Sequence, residues 1–137
     1  MRRLLLIVLL AIVPRSSFAA APTGISRELA RERALLITDL HYRVYFRLRA
    51  QGLTAPGHEE IRFRLSAAQP VLLDYRDGTV RELAINGGAT RITHENGHLV
   101  LPKEKLRVGE NTIYVDFVSG VAPAGKAITR FLDKDDG

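Results

Sequence analysis

The segment 94–98 reads His-Glu-Asn-Gly-His and carries the residue types that could do chemistry. It has the HExxH pattern of zinc peptidases, in which a helix places the two histidines on one face and the glutamate acts as general base. Here the intervening Asn-Gly favours a two-residue hairpin turn and disfavours a helix. In that hairpin Glu95 lies opposite His98 and His94 lies opposite Leu99. The two histidines then face opposite sides of the sheet, so a shared metal is not expected.

The other candidate residues do not assemble a site. Phe117 stands where one large class of HExxH enzymes has its third zinc ligand, a glutamate. His41 and His58 are isolated, the first on the polar side of a strand and the second in a loop, and the acidic segment 133–136 is typical of a solvated turn. The chain has no cysteine, which excludes disulfides, thiolate nucleophiles and cysteine-bound metals. We therefore expect no catalytic, cofactor-binding or metal-binding residue and no cofactor in this chain.

The first nineteen residues have the organisation of a signal peptide. Two arginines at 2–3 precede a ten-residue apolar run over 4–13, and Ser17-Phe18-Ala19 offers small residues for cleavage after Ala19. The apolar run is shorter than the roughly 20 residues that span a bilayer, which disfavours the alternative of a membrane anchor. The sequence thus predicts export to the periplasm or the medium, with no stable membrane insertion after cleavage.

Composition bounds the function of the exported part. The 137 residues allow one modest domain, and a charged fraction of 26% is ordinary for a folded protein. Removing 1–19 takes away Arg2, Arg3 and Arg15 and no acid, so the net charge falls from +5 to +2. Because the remaining charges are nearly balanced and form no basic run, nucleic acid is not an expected partner.

The elements that would position these residues are one helix followed by strands. Ser26 or Thr23 is a suitable N-cap for a helix over 27–34. From Leu40 to Leu48 apolar residues alternate with polar ones, which predicts a half-buried strand.

Turn residues then divide the rest of the chain into short strands. The segment 51–58, with two glycines and a proline, predicts a loop, and 109–111 predicts a turn. Strands are expected over 61–65, 71–75, 80–85, both sides of the 96–97 turn, and 113–117. About seven short strands at this spacing predict an all-β fold, an antiparallel β-sandwich preceded by the short helix.

Several segments also recur in an order and spacing familiar from one protein family. They are 25–34, the strand from Leu40, 61–63, 71–75, 83–87, 106–111, 113–117 and 128–137. Over 25–137 the chain resembles the N-terminal β-domain of the aminopeptidase N family, zinc metallo-aminopeptidases of the gluzincin class. Its final segment departs from the family pattern at Leu132, where threonine is usual, and at Lys134, where proline is usual.

The resemblance implies a non-catalytic domain that packs on a thermolysin-like zinc domain. In that family the Gly-x-Met-x-Asn exopeptidase loop, the helical HExxH and a transition-state tyrosine belong to the catalytic domain. This chain has a single methionine, Met1, and so lacks that loop. The family's substrate-anchoring Gln or Glu follows the Asp-Gly turn matched by 136–137, so no functional residue of the family is carried onto a position here. Zinc and the peptide substrate would belong to the missing or separately encoded catalytic domain.

The sequence predicts three regions: a signal peptide over 1–19, a helical arm over 20–36 and an incomplete β-sandwich over 37–137. Three functions stay open. In the first, the chain is a domain or fragment of an exported zinc aminopeptidase and has no activity alone. In the second, it is a stand-alone exported β-sandwich that binds a partner. In the third, it is a metallopeptidase that uses the 94–98 motif. An incomplete sheet leaves unpaired backbone groups, so we also expect reduced stability and self-association through an open edge.

Overall fold

A computed structural model of the protein describes residues 21–125, 128–131, 133 and 135. The predicted signal peptide over 1–19 and positions 132, 134, 136 and 137 of the final segment lie outside the described residues. The described elements are α1 (Arg27–Leu36), β1 (Ile37–Phe46), β2 (Thr54–Leu65), β3 (Val71–Asp74), β4 (Thr79–Ile85), β5 (Gly88–Ala89), β6 (His94–Glu95), β7 (His98–Leu101), β8 (Gly109–Ala122) and β9 (Ile128–Thr129), with a 3-10 turn at Lys103–Lys105.

The helix begins at the predicted cap. The hydroxyl oxygen of Ser26 accepts a hydrogen bond from the Leu29 backbone N–H at 3.1 Å, which satisfies one of the free donors of the first turn. The helix extends to Leu36, which is buried, and Ile37 is already extended, so the chain passes directly into β1. Within the described part of the chain, no helix has both the length and the hydropathy needed to cross a bilayer.

The strands form two sheets. The larger has the order β1-β2-β8-β4-β5, with β9 joined to β8, and the smaller has the order β3-β7-β6. All of these pairs are antiparallel except β8 with β9, which is parallel. The prediction of an all-β, mainly antiparallel fold with one preceding helix is confirmed at this level.

Both sheets contribute to one hydrophobic core. The buried positions alternate along β2 and β8, as expected for strands with one face covered. The core side chains are Leu36, Ile61, Phe63, Leu65, Val71, Leu83, Ile85, Leu99, Leu101, Leu106, Ile113, Val115 and Phe117. We call the core-facing side of the larger sheet its inner face.

The predicted loop over 51–58 is wrong, because β2 begins inside it. Pro56 is tolerated because its carbonyl accepts the Arg47 N–H at 2.8 Å beyond the end of β1, where a missing proline N–H costs the ladder little. Gly57 is needed because a Cβ there would lie 2.8 Å from the Phe117 ring. Both residues therefore serve contacts with distant parts of the chain. The loop was predicted because proline and glycine are common in turns.

Three further expectations need correction. His58 lies in β2, not in a loop, and its ring stacks on Tyr45 with centroids 4.6 Å apart. The segment 109–111, predicted as a turn, is the beginning of β8. The strands are not uniformly short, since β2 has 12 residues and β8 has 14.

The strand predicted from Leu40 exists as β1, but its half-buried face is wrong. From Leu40 to the end of β1 the apolar side chains are exposed, from 44% at Val44 to 54% at Tyr42, and Leu48 beyond it is 66% exposed. β1 is the terminal strand of the larger sheet, so among the described strands it has a neighbour on one side only. Alternation alone showed which side chains share a face but not whether another layer covers that face.

Candidate binding surface

The 94–98 segment forms the predicted hairpin. Asn96 and Gly97 have φ values of 50° and 84°, the backbone of the favoured two-residue turn. His94 pairs with Leu99, and Glu95 pairs with His98, which confirms the predicted register. The two histidines consequently lie on opposite faces of the smaller sheet. No three His, Cys, Asp or Glu side chains within the described ranges come together as a metal-binding group.

His98 is buried and belongs to a polar group with two other side chains, of which Asp74 is 40% exposed. Its Nδ1 lies 2.8 Å from Oδ1 of Asp74, and the ring is 2% exposed. The Arg33 guanidinium donates two hydrogen bonds to the same carboxylate, at 2.8 and 2.7 Å. These bonds from Arg33 are the main reason why the pKa of Asp74 lies below its ordinary value. We call Arg33, Asp74 and His98 the polar clasp, which joins α1 to β3 and β7.

The same hairpin also holds the segment that precedes the helix. The Asn96 side-chain amide donates to the Ala21 carbonyl at 2.7 Å, and His98 Nε2 lies 3.2 Å from the Gly24 carbonyl oxygen. Ala21 is only 4% exposed. Asn96 and His98 of the HExxH pattern thus hold residues 21–24 over the face of the smaller sheet that points away from the core. Their role is structural.

Next to the polar clasp lies an open apolar groove, whose lining includes Arg33 and Asp74. It lies between β1 and β3, has a volume of about 400 Å³, and continues the inner face of the larger sheet. Its lining includes Ile37, Tyr42, Glu59, Ile61, Val71 and Leu73. A concave apolar surface with a few polar groups is typical of a ligand or partner site.

Glu59 is one of three carboxylates among the described residues that line this groove; Asp39 is paired with His41, and Asp74 belongs to the polar clasp. The neighbours of Glu59 across the sheet are Val44 on β1 and Val115 on β8, so it stands among apolar residues of the inner face. Burial raises the pKa of Glu59 above its ordinary value. Among the described residues its carboxylate makes no hydrogen bond and no ion pair. An unpaired, half-buried acid of this kind is costly for the free protein and marks a place where a partner can compensate it.

Two tyrosines surround Glu59. Burial, and then the negative charge of Glu59, raises the pKa of both Tyr42 and Tyr75. The Tyr75 hydroxyl is buried and has no hydrogen-bond partner within the described part of the chain. The groove therefore offers an acid whose hydrogen-bonding capacity is unused, and the unpartnered Tyr75 phenol lies outside its lining.

The strand that borders the groove presents two different faces. Tyr42, Val44 and Phe46 share the inner face with Ile61 because paired residues of antiparallel strands lie on one side of the sheet. The alternate positions of the outer face are Arg43, Tyr45 and Arg47. We call residues 42–47, with both faces, the open edge.

The outer face of the open edge is basic, and the nearest acid is already engaged. Glu60 on β2 lies 2.5 Å from the Arg62 side chain and 4.0 Å from that of Arg43. Arg43 keeps 60% of its side chain exposed, so much of its charge faces solvent. Among the described residues Arg47 has no carboxylate within ion-pair distance.

The sequence contains a signal for Glu59 in the alternation of β2. Counting back by two from Leu65, Phe63 and Ile61 places Glu59 on the buried face, where an acid is unusual. The polar clasp had no such signal, since Arg33 and Asp74 are 41 positions apart.

Comparison with known proteins adds no assignment. No protein-family model matches the sequence, and no curated protein matches it significantly.

Proposed function

We propose that this chain is a non-catalytic, exported β-domain of the aminopeptidase N type, which packs on a zinc aminopeptidase domain carried elsewhere. The single observation that carries the proposal is the open apolar groove with the exposed inner-face residues Tyr42, Val44 and Phe46. A contiguous apolar surface of this kind is typical of an interface with another domain. The resemblance of residues 25–137 to the family supplies the identity of that domain.

The finer fold assignment belongs to the same proposal. The two sheets share one core, which supports a β-sandwich of the aminopeptidase N N-terminal type. The leader-like pattern over 1–19 supports export to the periplasm or the medium.

In this proposal the chain supports catalysis by another unit and performs no chemical step. The HExxH histidines face opposite sides of a hairpin, and His98 is occupied by Asp74. Zinc and the peptide substrate would be bound by the partner domain. The chain would cover an apolar face of that domain and stabilise its active arrangement.

A second candidate, a stand-alone exported binding module, is favoured by the half-buried Glu59 and the unpaired edge strand. These features need no catalytic partner, because an open groove of about 400 Å³ beside a free strand is itself a binding surface. The two candidates differ in whether a separate aminopeptidase catalytic domain gains activity when this chain is added.

The test is co-expression of the chain with an aminopeptidase N catalytic domain that lacks its own N-terminal β-domain. We expect zinc-dependent hydrolysis of an aminoacyl anilide to rise at least about tenfold above that of either part alone. Val44→Glu on the inner face should abolish the gain, while Arg64→Glu on the exposed side of β2 should preserve it.

Absence of any complex between the two parts would contradict the aminopeptidase proposal and favour the binding module. Zinc-dependent hydrolysis by the chain alone, lost in Glu95→Gln, would contradict both and support a metallopeptidase at the hairpin.

A further inference from the structure

No described strand pairs with the outer side of β1, so the backbone of the open edge can accept another strand. Arg47 N–H donates to Pro56, so the polar groups of Arg47 point toward β2. Backbone groups of successive residues in an antiparallel strand point alternately to either side. The N–H and C=O groups of Tyr42, Val44 and Phe46 therefore point away from β2, toward the side where the described sheet ends.

The side chains of the open edge determine which residue types an added strand can place on each face of the sheet. A strand added to the open edge would place alternate side chains next to Tyr42, Val44 and Phe46, where burial of apolar groups is favourable. Its other side chains would lie next to Arg43 and Arg47, where carboxylates are favoured.

A second copy of this chain fits the open edge poorly. Antiparallel pairing of two β1 strands centred on the open edge brings Arg43 and Arg47 of one copy beside those of the other. The only acid within β1 is Asp39, at the bulge and outside the open edge, and it already lies 2.8 Å from His41. Glu60 is engaged by Arg62 and Arg43. Like charges placed opposite each other destabilise a strand pair.

We propose that the open edge is a docking site for an extended segment of a partner protein in which apolar and acidic residues alternate. The segment adds to the larger sheet as a new edge strand, with its backbone bonded to residues 42, 44 and 46. Its apolar side chains cover the exposed inner face of β1, and its acidic side chains pair with Arg43 and Arg47. This proposal is independent of whether the partner is an aminopeptidase.

The experiment is titration of the purified chain with labelled peptides of about nine residues, long enough to span the open edge. One peptide alternates valine and glutamate, and its matched control alternates valine and lysine. We expect the glutamate peptide to bind at least about tenfold more tightly at low salt, with the difference shrinking as ionic strength rises.

Two sets of variants separate backbone pairing from charge. Val44→Pro removes an outward N–H and should abolish binding, while Val44→Ala keeps that N–H and should bind within a few-fold of the wild type. The double variant Arg43→Glu and Arg47→Glu should reverse the preference in favour of the lysine peptide. If Val44→Pro does not fold, this reversal decides the question by itself.

Equal affinity for the two peptides, or binding of neither, would overturn the proposal. Dimerisation of the chain that Val44→Pro abolishes would overturn it too, since a second copy would then occupy the edge.

Discussion

The two sides of the groove treat their charged groups in opposite ways, although Asp74 on β3 and Glu59 on β2 both line it. On one side the carboxylate of Asp74 is held by Arg33 and His98, and the chain segment 21–24 covers the hairpin. On the other side Glu59 stands unpaired in an apolar groove beside an exposed strand. The pKa of Asp74 is lowered, whereas that of Glu59 is raised. The Asp74 carboxylate is paired within the chain, although the buried Arg33 Nε beside it has no hydrogen-bond partner among the described residues, whereas the Glu59 carboxylate is left for a group outside the chain.

The largest expected effect compares the core with the open edge. Ile113 is fully buried and Val44 is 44% exposed, although both lie on the inner face. Ile113→Ala should lower the free energy of unfolding by about 2–5 kcal/mol, because it removes packed methyl groups and leaves a cavity. Val44→Ala should change it by less than about 1 kcal/mol. Urea denaturation of both variants checks this, and similar losses would mean that β1 is covered in solution.

An intermediate effect is expected at the polar clasp. Asp74→Asn should cost about 0.5–2 kcal/mol at neutral pH, because it weakens the bonds of Arg33 and leaves the buried His98 without its charged acceptor, while the 40% exposure of Asp74 lets solvent screen part of the effect. The matched control is Asp39→Asn, whose exposed pair with His41 should contribute less than about 1 kcal/mol.

The pH dependence of this cost has a defined sign. The folded-state pKa of Asp74 is below its ordinary value of 3.8, so its stabilisation is complete above that value and is lost as the pH falls through the folded pKa. The difference between wild type and Asp74→Asn should therefore shrink in acid. A difference that grows as the pH falls would contradict the polar clasp.

The smallest effect, with the opposite sign, is expected at Glu59. Since burial raises its pKa in the folded state, the ionised carboxylate destabilises the fold above its ordinary value of 4.5. Glu59→Gln should raise the thermal midpoint at neutral pH by about 1–3 °C and have little effect below pH 4.5. Calorimetry at both pH values tests this, and a lower midpoint at neutral pH would show that Glu59 has a partner.

The features that sequence predicted well are local. Ser26 caps the helix through a residue three positions away, and the Asn96-Gly97 turn fixes the register of its hairpin through its own backbone. That register was enough to place His94 and His98 on opposite faces, because side chains alternate along a strand.

The features that sequence missed depend on distant parts of the chain. The residue types of Pro56 and Gly57 predicted a loop, but both residues lie in a strand. There the Pro56 carbonyl accepts the Arg47 N–H, and Gly57 leaves room for the Phe117 ring. The exposure of β1 depends on how far the second sheet extends, which no pattern within β1 contains. The polar clasp joins residues 24 and 41 positions apart, so nothing local indicated it.

The most direct test of an open edge is residue-resolved amide hydrogen exchange of the free chain. If β1 is a true edge strand, the amides of Tyr42, Val44 and Phe46 exchange rapidly, while those of Arg43, Tyr45 and Arg47 are protected by β2. The alternating valine–glutamate peptide should then protect the amides at 42, 44 and 46. Equal protection of all six amides in the free chain would show a covered edge and contradict the account.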